Sequence, residues 1–255
     1  MTGVNAKNAD PEWEWYIGKL YSKLIGSFVQ DPIYNVVELG PGFRYKIANA
    51  LGNIGFAGTL YVIDSCKEAL TYVEHKYKKF IPNANIICIN KNFEDAFNDL
   101  PNDIDLFTVN HCVDDMIMAE YQKETYTKAL QNDTQDELIS LWKKLNDDKE
   151  TVKRISQTIT QRFASFFKAK NVRNVIIGQY KSNLYFRGKS NIADTIAQNC
   201  FKEIKKLVNT NDEKTNEALA FFPFGEDDER YNYPELLNNT QNAVNWIVGK
   251  PCVLN

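Results

Sequence analysis

From residue 11 to residue 28 the apolar positions recur at helical spacing. Trp13, Tyr16, Ile17, Leu20, Tyr21, Leu24 and Ile25 form one stripe, which predicts an amphipathic helix. Asp31-Pro32 breaks it. The period then changes. Tyr34 to Leu39 is a short run whose Val36-Val37 pair fits a strand buried on both faces, and it runs into Gly40-Pro41-Gly42. A helix is expected from Tyr45 to Leu51, a strand at Thr59 to Ile63, and a helix from Lys67 to Lys79 with Ser65 as N-cap. Strands follow at Asn85 to Asn90 and Asp105 to Val109. Strands alternating with helices at this pitch predict βαβ units and a mostly parallel sheet.

Between Ala119 and Lys170 helical spacing returns over a longer span. Leu138, Leu141, Trp142 and Leu145 are followed by Val152, Ile155, Ile159, Phe163, Phe166 and Phe167. Two or three helices are expected, more than a plain crossover needs, so part reads as an insertion over the sheet, about residues 119–168. Together with the first helix it is a candidate lid. Val172 to Ile177 resumes the sheet, and Ala193 to Val208 reads as a helix. Ala218 to Phe222 and Ala243 to Val248 are expected as the last two strands. The organisation is therefore a helical segment over 1–30 and a doubly wound α/β domain over 31–255.

Composition narrows the class. The 255 residues are 44% hydrophobic and 13% aromatic, enough for a full core. With 30 Lys+Arg against 33 Asp+Glu and no basic block, a chain held to nucleic acid by phosphate neutralisation is not expected. The five cysteines lack CxxC spacing, and only His75 and His111 can join them as soft ligands. No metal site or disulfide framework is expected, and a reducing, cytoplasmic setting is. The opening residues lack the pattern of a secretory signal, and no apolar run is long enough to span a bilayer.

Open parallel sheets bind ligands at the carboxyl ends of their strands. There this sequence places Glu38 before Gly40-Pro41-Gly42, then Asp64-Ser65, then Asn92-Phe93-Glu94-Asp95, then Asn110-His111. Glycine lets backbone approach a ligand where a Cβ would collide. Glu38 supplies an acceptor for a cationic group. Asp64 can take both hydroxyls of a ribose diol, one per carboxylate oxygen. Cys66 is placed as an apolar wall for a base.

At these residues, from Ile33 to Met116, the chain resembles the class I S-adenosylmethionine-dependent methyltransferases. Val36 to Gly42 is similar to the E/D-x-G-x-G motif of that family, and Tyr61 to Ser65 to the motif whose acid holds the ribose. Ile89 to Asp95 matches the third motif, with Asn92 where an Asp often faces the adenine amino group. Asp105 to His111 stands where the strand end faces the methyl group. The resemblance implies a seven-stranded sheet in the order 3-2-1-4-5-7-6 with one antiparallel strand. It implies S-adenosyl-L-methionine as cofactor, held by Glu38, Gly40, Pro41, Gly42, Asp64, Ser65, Asn92, Phe93 and Asn110. The departures are Phe43 and Arg44, where the family commonly has a third glycine. A dinucleotide enzyme is disfavoured because the sixth position of G-x-G-x-x-G, counted from Gly40, is Tyr45.

Methyl transfer needs an aligned nucleophile and a place for its proton. His111 and Asp114 are the candidates for that chemistry. His111 is a base or merely a positioning or packing group. Asp114 and Asp115 orient it, bind a cationic substrate, or simply favour a helix start. The run Gln179 to Arg187 mixes aromatics with Lys and Arg, suiting a flat or anionic substrate or an ordinary loop. The acids at 226–229 read as solvated. The expected substrate is a small molecule or peptide rather than nucleic acid, although RNA gripped through a local patch stays open; no membrane partner is expected, and a homodimer is entertained. The alternatives are a non-catalytic methyltransferase-like subunit and an NAD-type oxidoreductase.

Overall fold

The computed structural model describes residues 11–132, 134–180, 190–220 and 244–252. Among them one seven-stranded sheet carries helices on both faces. The elements are α1 (Pro11–Phe28), β1 (Asn35–Leu39), α2 (Lys46–Asn53), β2 (Thr59–Ile63), α3 (Lys67–Phe80), β3 (Asn85–Ile89) and β4 (Leu106–Asn110). Then come α4 (Val113–Gln131), α5 (Gln135–Asp147), α6 (Lys149–Ala169), β5 (Val175–Tyr180), α7 (Ile192–Lys205), β6 (Val208–Thr210), α8 (Asp212–Ala220) and β7 (Val244–Pro251). The strand order is β3-β2-β1-β4-β5-β7-β6, the order implied by the resemblance, and β7 runs antiparallel to both its neighbours.

Strand alternation sorts the core into two layers. Val36, Leu60, Val62, Leu106, Ile176 and Val248 face α1, α2 and α3. Val37, Leu39, Ile63, Ile89, Phe107, Val109 and Ile177 face α4 to α7. The inserted helices belong to this second layer. Phe163, Phe166 and Phe167 of α6 pack on Phe107 of β4, and Phe163 and Phe166 also meet Phe93. The helices of the 119–168 stretch lay their apolar stripes against the sheet, while α1, the other part of the candidate lid, lies in the first layer. Asp148 caps α6, accepting from the Thr151 N–H at 3.0 Å. Helix α4 breaks at Gln122, whose φ of −152° and ψ of 69° are not helical.

Three expectations are corrected: the place of the sixth strand, the end of the helix before it and the cap of α3. The sixth strand is Val208–Thr210, paired with Pro251, Lys250 and Gly249, and the expected helix to Val208 stops at Lys205. The segment expected to begin a strand at Ala218 is the end of α8. Asn211 starts that helix: its side chain accepts from Lys214 N at 2.9 Å and its carbonyl from Thr215 N at 3.0 Å, with Asp212 and Glu213 in the favourable first turn. Ser65 is exposed and does not cap α3; the N-cap position is Cys66, whose N–H is taken by Asp64. Phe221, Phe222, residues 181–189 and the acids at 226–229 lie outside the described residues.

Helix α1 is tied into the sheet by Tyr21. Its hydroxyl donates to the Val109 carbonyl at 2.6 Å and accepts from the Gly178 N–H at 3.0 Å. The phenol therefore stands between the ends of β4 and β5, with its ring edge-on to Trp246 of β7 at 5.0 Å. A Cβ on residue 178 would lie 2.9 Å from that hydroxyl. The same carbonyl and N–H face each other across the β4–β5 pairing, so Tyr21→Phe removes a bond shared with the ladder and is expected to cost about 0.5–1.5 kcal/mol of stability in urea unfolding.

Candidate functional site

Parallel register levels the strand ends. Leu39 pairs with Ile63 and Val109, Ile63 with Ile89, and Asn110 with Gly178. The turn after β1 uses positive φ at Gly40 (63°) and Gly42 (57°), which only glycine adopts without strain. A Cβ on residue 40 would also sit 3.1 Å from Cys112 Sγ. A Cβ on residue 42 would meet no atom within 4 Å, although the residue is buried. The turn thus has one filled side and one open side.

Asp64 holds this turn. Its Oδ2 accepts from Gly42 N at 2.9 Å, its Oδ1 from Cys66 N at 2.8 Å, and its carbonyl from Asn90 Nδ2 at 3.1 Å. Each carboxylate oxygen keeps a further lone pair for a ligand hydroxyl. Phe43 does not project from the turn; its ring packs on Tyr72 at 5.6 Å, in a small cluster with Cys66 and Ala69. Cys66, expected as a wall for a base, lies in that cluster and is buried. Pro41 is buried within the turn.

Glu38 sits just beneath, 2% exposed, with the Tyr77 hydroxyl donating to Oε2 at 2.8 Å. Burial pushes its carboxyl up to about 8; the Tyr77 bond opposes this, the charges of Glu14 and Asp64 add to it, and Lys46 opposes it. At neutral pH the ligand-free protein therefore keeps a proton here, where the sequence led us to expect a charge. Glu38 holds its proton to higher pH when folded than when unfolded. Stability is therefore lost as pH rises between the unfolded carboxylate value and about 8, by about 1.4 kcal/mol per pH unit. Glu38→Gln should flatten that decline, seen as a higher melting midpoint than wild type at pH 8 and a smaller difference at pH 5.

Beside the turn lies a buried polar group that sequence reading missed. Lys46, 1% exposed, donates to the Tyr180 hydroxyl and stands 3.6 Å from Oε1 of the fully buried Glu14. Glu14 Oε2 accepts from Tyr45 N at 2.8 Å, and Arg44 Nε is 3.9 Å from Oε1. Asn110 Nδ2 reaches the same Tyr180 hydroxyl at 3.4 Å, and its Oδ1 is buried without a partner. The signal was available in α1: Glu14, Ile17, Tyr21 and Leu24 share one helical stripe, so Glu14 had to face the core. In α2 every residue from Lys46 to Leu51 is buried, which the apolar pattern of Ile47 to Leu51 foreshadowed without marking Lys46.

His111 has a φ of 51°, and its N–H bonds the Gly178 carbonyl at 2.7 Å. Its ring stacks on Tyr180 at 4.0 Å with planes 7° apart. Nδ1 lies 3.1 Å from Gln179 Nε2, which can only donate, so Nδ1 carries the lone pair and Nε2 the proton. Nε2 faces Asp114 Oδ2 at 3.7 Å. Burial pulls the imidazole down to about 4, with Asp115 opposing. A neutral ring whose lone pair is engaged suits orientation better than proton acceptance. The His111 ring carbons should accordingly show no NMR titration between pH 5.5 and 8, where a free imidazole titrates near about 6.5.

Asp114 is buried, with Gln179 Nε2 at 3.5 Å, and Asp115 accepts from the Tyr126 hydroxyl at 2.7 Å. Burial raises both carboxyls, and for Asp115 the neighbouring Asp114 charge raises it further. Burial also pushes the Cys112 thiol well up. On the third strand's side Asn92 is exposed, accepting from Lys123 Nζ at 3.1 Å and donating to Asp95 at 3.1 Å. The Phe93 ring is buried in the α6 aromatic cluster, so its side chain does not face the strand ends. Glu38, Gly40, Pro41, Gly42, Asp64 and Asn110 are thus brought together, with His111 and Asp114 beside them; Ser65 and Asn92 are exposed, and the Phe93 ring is buried among the α6 rings. Among the described residues no group of three metal-ligating side chains converges, and no helix is long and apolar enough to cross a membrane.

No family model matches the chain, and no curated protein matches it. Solved structures do. The plantazolicin methyltransferase BpumL in complex with SAH aligns over 97% of this chain and 88% of its own, at 9% identity and a TM-score of 0.43. A SAM-dependent methyltransferase from Aquifex aeolicus aligns over 71% of this chain and 74% of its own, at 14% identity and a TM-score of 0.41. The bifunctional kinase-methyltransferase WbdD aligns over 74% of this chain, at 12% identity and a TM-score of 0.39; the chain spans 34% of its length.

Proposed function

We propose that this chain is an S-adenosylmethionine-dependent methyltransferase of the class I type, acting on a small-molecule or peptide acceptor. One observation carries the reading. The open-sided turn at Gly42, the buried Glu38 and the Asp64 carboxylate converge at level strand ends, in a sheet ordered 3-2-1-4-5-7-6.

The residues present fit the cofactor. Gly42 leaves room for a ligand beside the backbone, Asp64 keeps lone pairs for a ribose diol, and Asn110 has an unpartnered buried oxygen at the next strand end. Glu38 is the acid beside the turn that answers a positive group. When bound, the cofactor supplies a methyl group made electrophilic by a positive sulfur. The protein's share is to align an acceptor near Asn110, His111 and Tyr180, with Gln179 and Asp114 fixing the imidazole. A small or peptidic acceptor is supported by the near-balanced charge and the lack of a basic block.

One observation favours a second reading, a methyltransferase-like binding subunit without turnover: the His111 lone pair is engaged by Gln179. Titration calorimetry with S-adenosylmethionine and with NADH tests the cofactor. Binding of the first and not the second is expected, and the converse overturns the proposal. Asp64→Asn should lower affinity about 10–100-fold, the worth of about 1.5–3 kcal/mol for a hydrogen bond to a charged group, with the melting midpoint followed to separate loss of fold. Binding with no methylated product from a metabolite and peptide extract would select the second reading.

A further inference from the structure

The charges around Glu38 do not balance. Facing it are Tyr77 from α3, Glu14 and Tyr21 from α1, Lys46 from α2, Asp64 from β2 and Cys88 from β3. Lys46 is the cation of this set, and it is engaged by Glu14 at 3.6 Å and by the Tyr180 hydroxyl. The Arg44 guanidinium at the turn likewise points to Glu14. Among the described residues no salt bridge reaches Glu38 itself. A carboxyl so enclosed keeps its proton until a positive charge arrives.

We propose that Glu38 releases its proton when a cationic ligand occupies the Gly40–Gly42 turn, so that the site exchanges a proton for the ligand's positive charge. The inference rests on the proposed cofactor reading and adds a determinant of ligand charge to it. Glu38 stands two residues before Gly40, and its burial leaves no aqueous counter-ion to do this work. Burial holds the carboxyl up at about 8 without a ligand, so at neutral pH a proton is present to be expelled. A neutral nucleoside lacks the charge that drives the exchange. By linkage, affinity for a cationic ligand rises with pH by up to about tenfold per unit as far as about 8, then levels off.

Titration calorimetry of the intact chain at pH 7.0, in phosphate and in Tris, tests this. The two buffers differ in ionisation enthalpy, so the difference in heats counts protons released. For S-adenosylmethionine the count should be about one in wild type and near zero in Glu38→Gln. With adenosine, which is uncharged, it should be near zero in wild type. S-adenosylmethionine binding with no proton release, or release that persists in Glu38→Gln, overturns the inference and leaves the cofactor reading standing. Persistence would instead point to Asp114 and Asp115, the other raised carboxyls. Failure of S-adenosylmethionine to bind at any pH from 6 to 9 overturns both.

Discussion

The carboxylate of Asp64 fixes two turns with two oxygens. One holds the N–H of Gly42 and the other that of Cys66, so the loop after β1 and the start of α3 are set by one side chain at the end of β2. The positive φ values of Gly40 and Gly42 are kept in place by that anchor and by the Gly40 N–H bond to the Ile63 carbonyl at 2.8 Å. A residue with a scaffold role of this kind is already oriented when a ligand arrives, and little ordering is left to oppose binding.

Around that anchor the protein keeps charge out of water in two different ways. Glu14 and Lys46 are buried as opposite charges, which removes much of the desolvation penalty of each. Glu38 is buried without a cation of its own and takes a proton instead. The imidazole of His111 follows the same rule in the opposite sense, staying neutral by giving its proton up. The strand ends therefore combine a compensated pair with groups whose charge depends on what else is present.

Much of the frame was readable from apolar spacing. The stripe from Trp13 to Ile25 became α1, and Thr59 to Ile63 became β2 without change. Short elements were harder. Val208–Thr210 offers three residues, too few for a period, and its strand identity comes from pairing with β7. The end of β5 was placed too early, at Ile177, because polar Gln179 looked like a loop; it is buried, bonding the His111 ring and the Asp114 carboxylate. In the site itself, the glycines and Asp64 were marked by residue type. Lys46 was not, since its meeting with Tyr180 depends on α2 lying against the end of β5, which no local spacing encodes. Phe93 was marked by its place after Asn92, and the packing of its ring on Phe166 came from α6, far along the chain.

The bridge made by Tyr21 bears on how the chain reaches this fold. Its hydroxyl needs Val109 and Gly178, and its ring needs Trp246, all of them synthesised later. Helix α1 lays most of its apolar stripe on α2, its neighbour in sequence, whereas the Tyr21 bridge is complete only when β5 and β7 are in place. Contacts this distant in sequence slow the search for the native state. The Tyr21 bridge therefore joins the first helix to strands far along the chain, through contacts of high sequence separation.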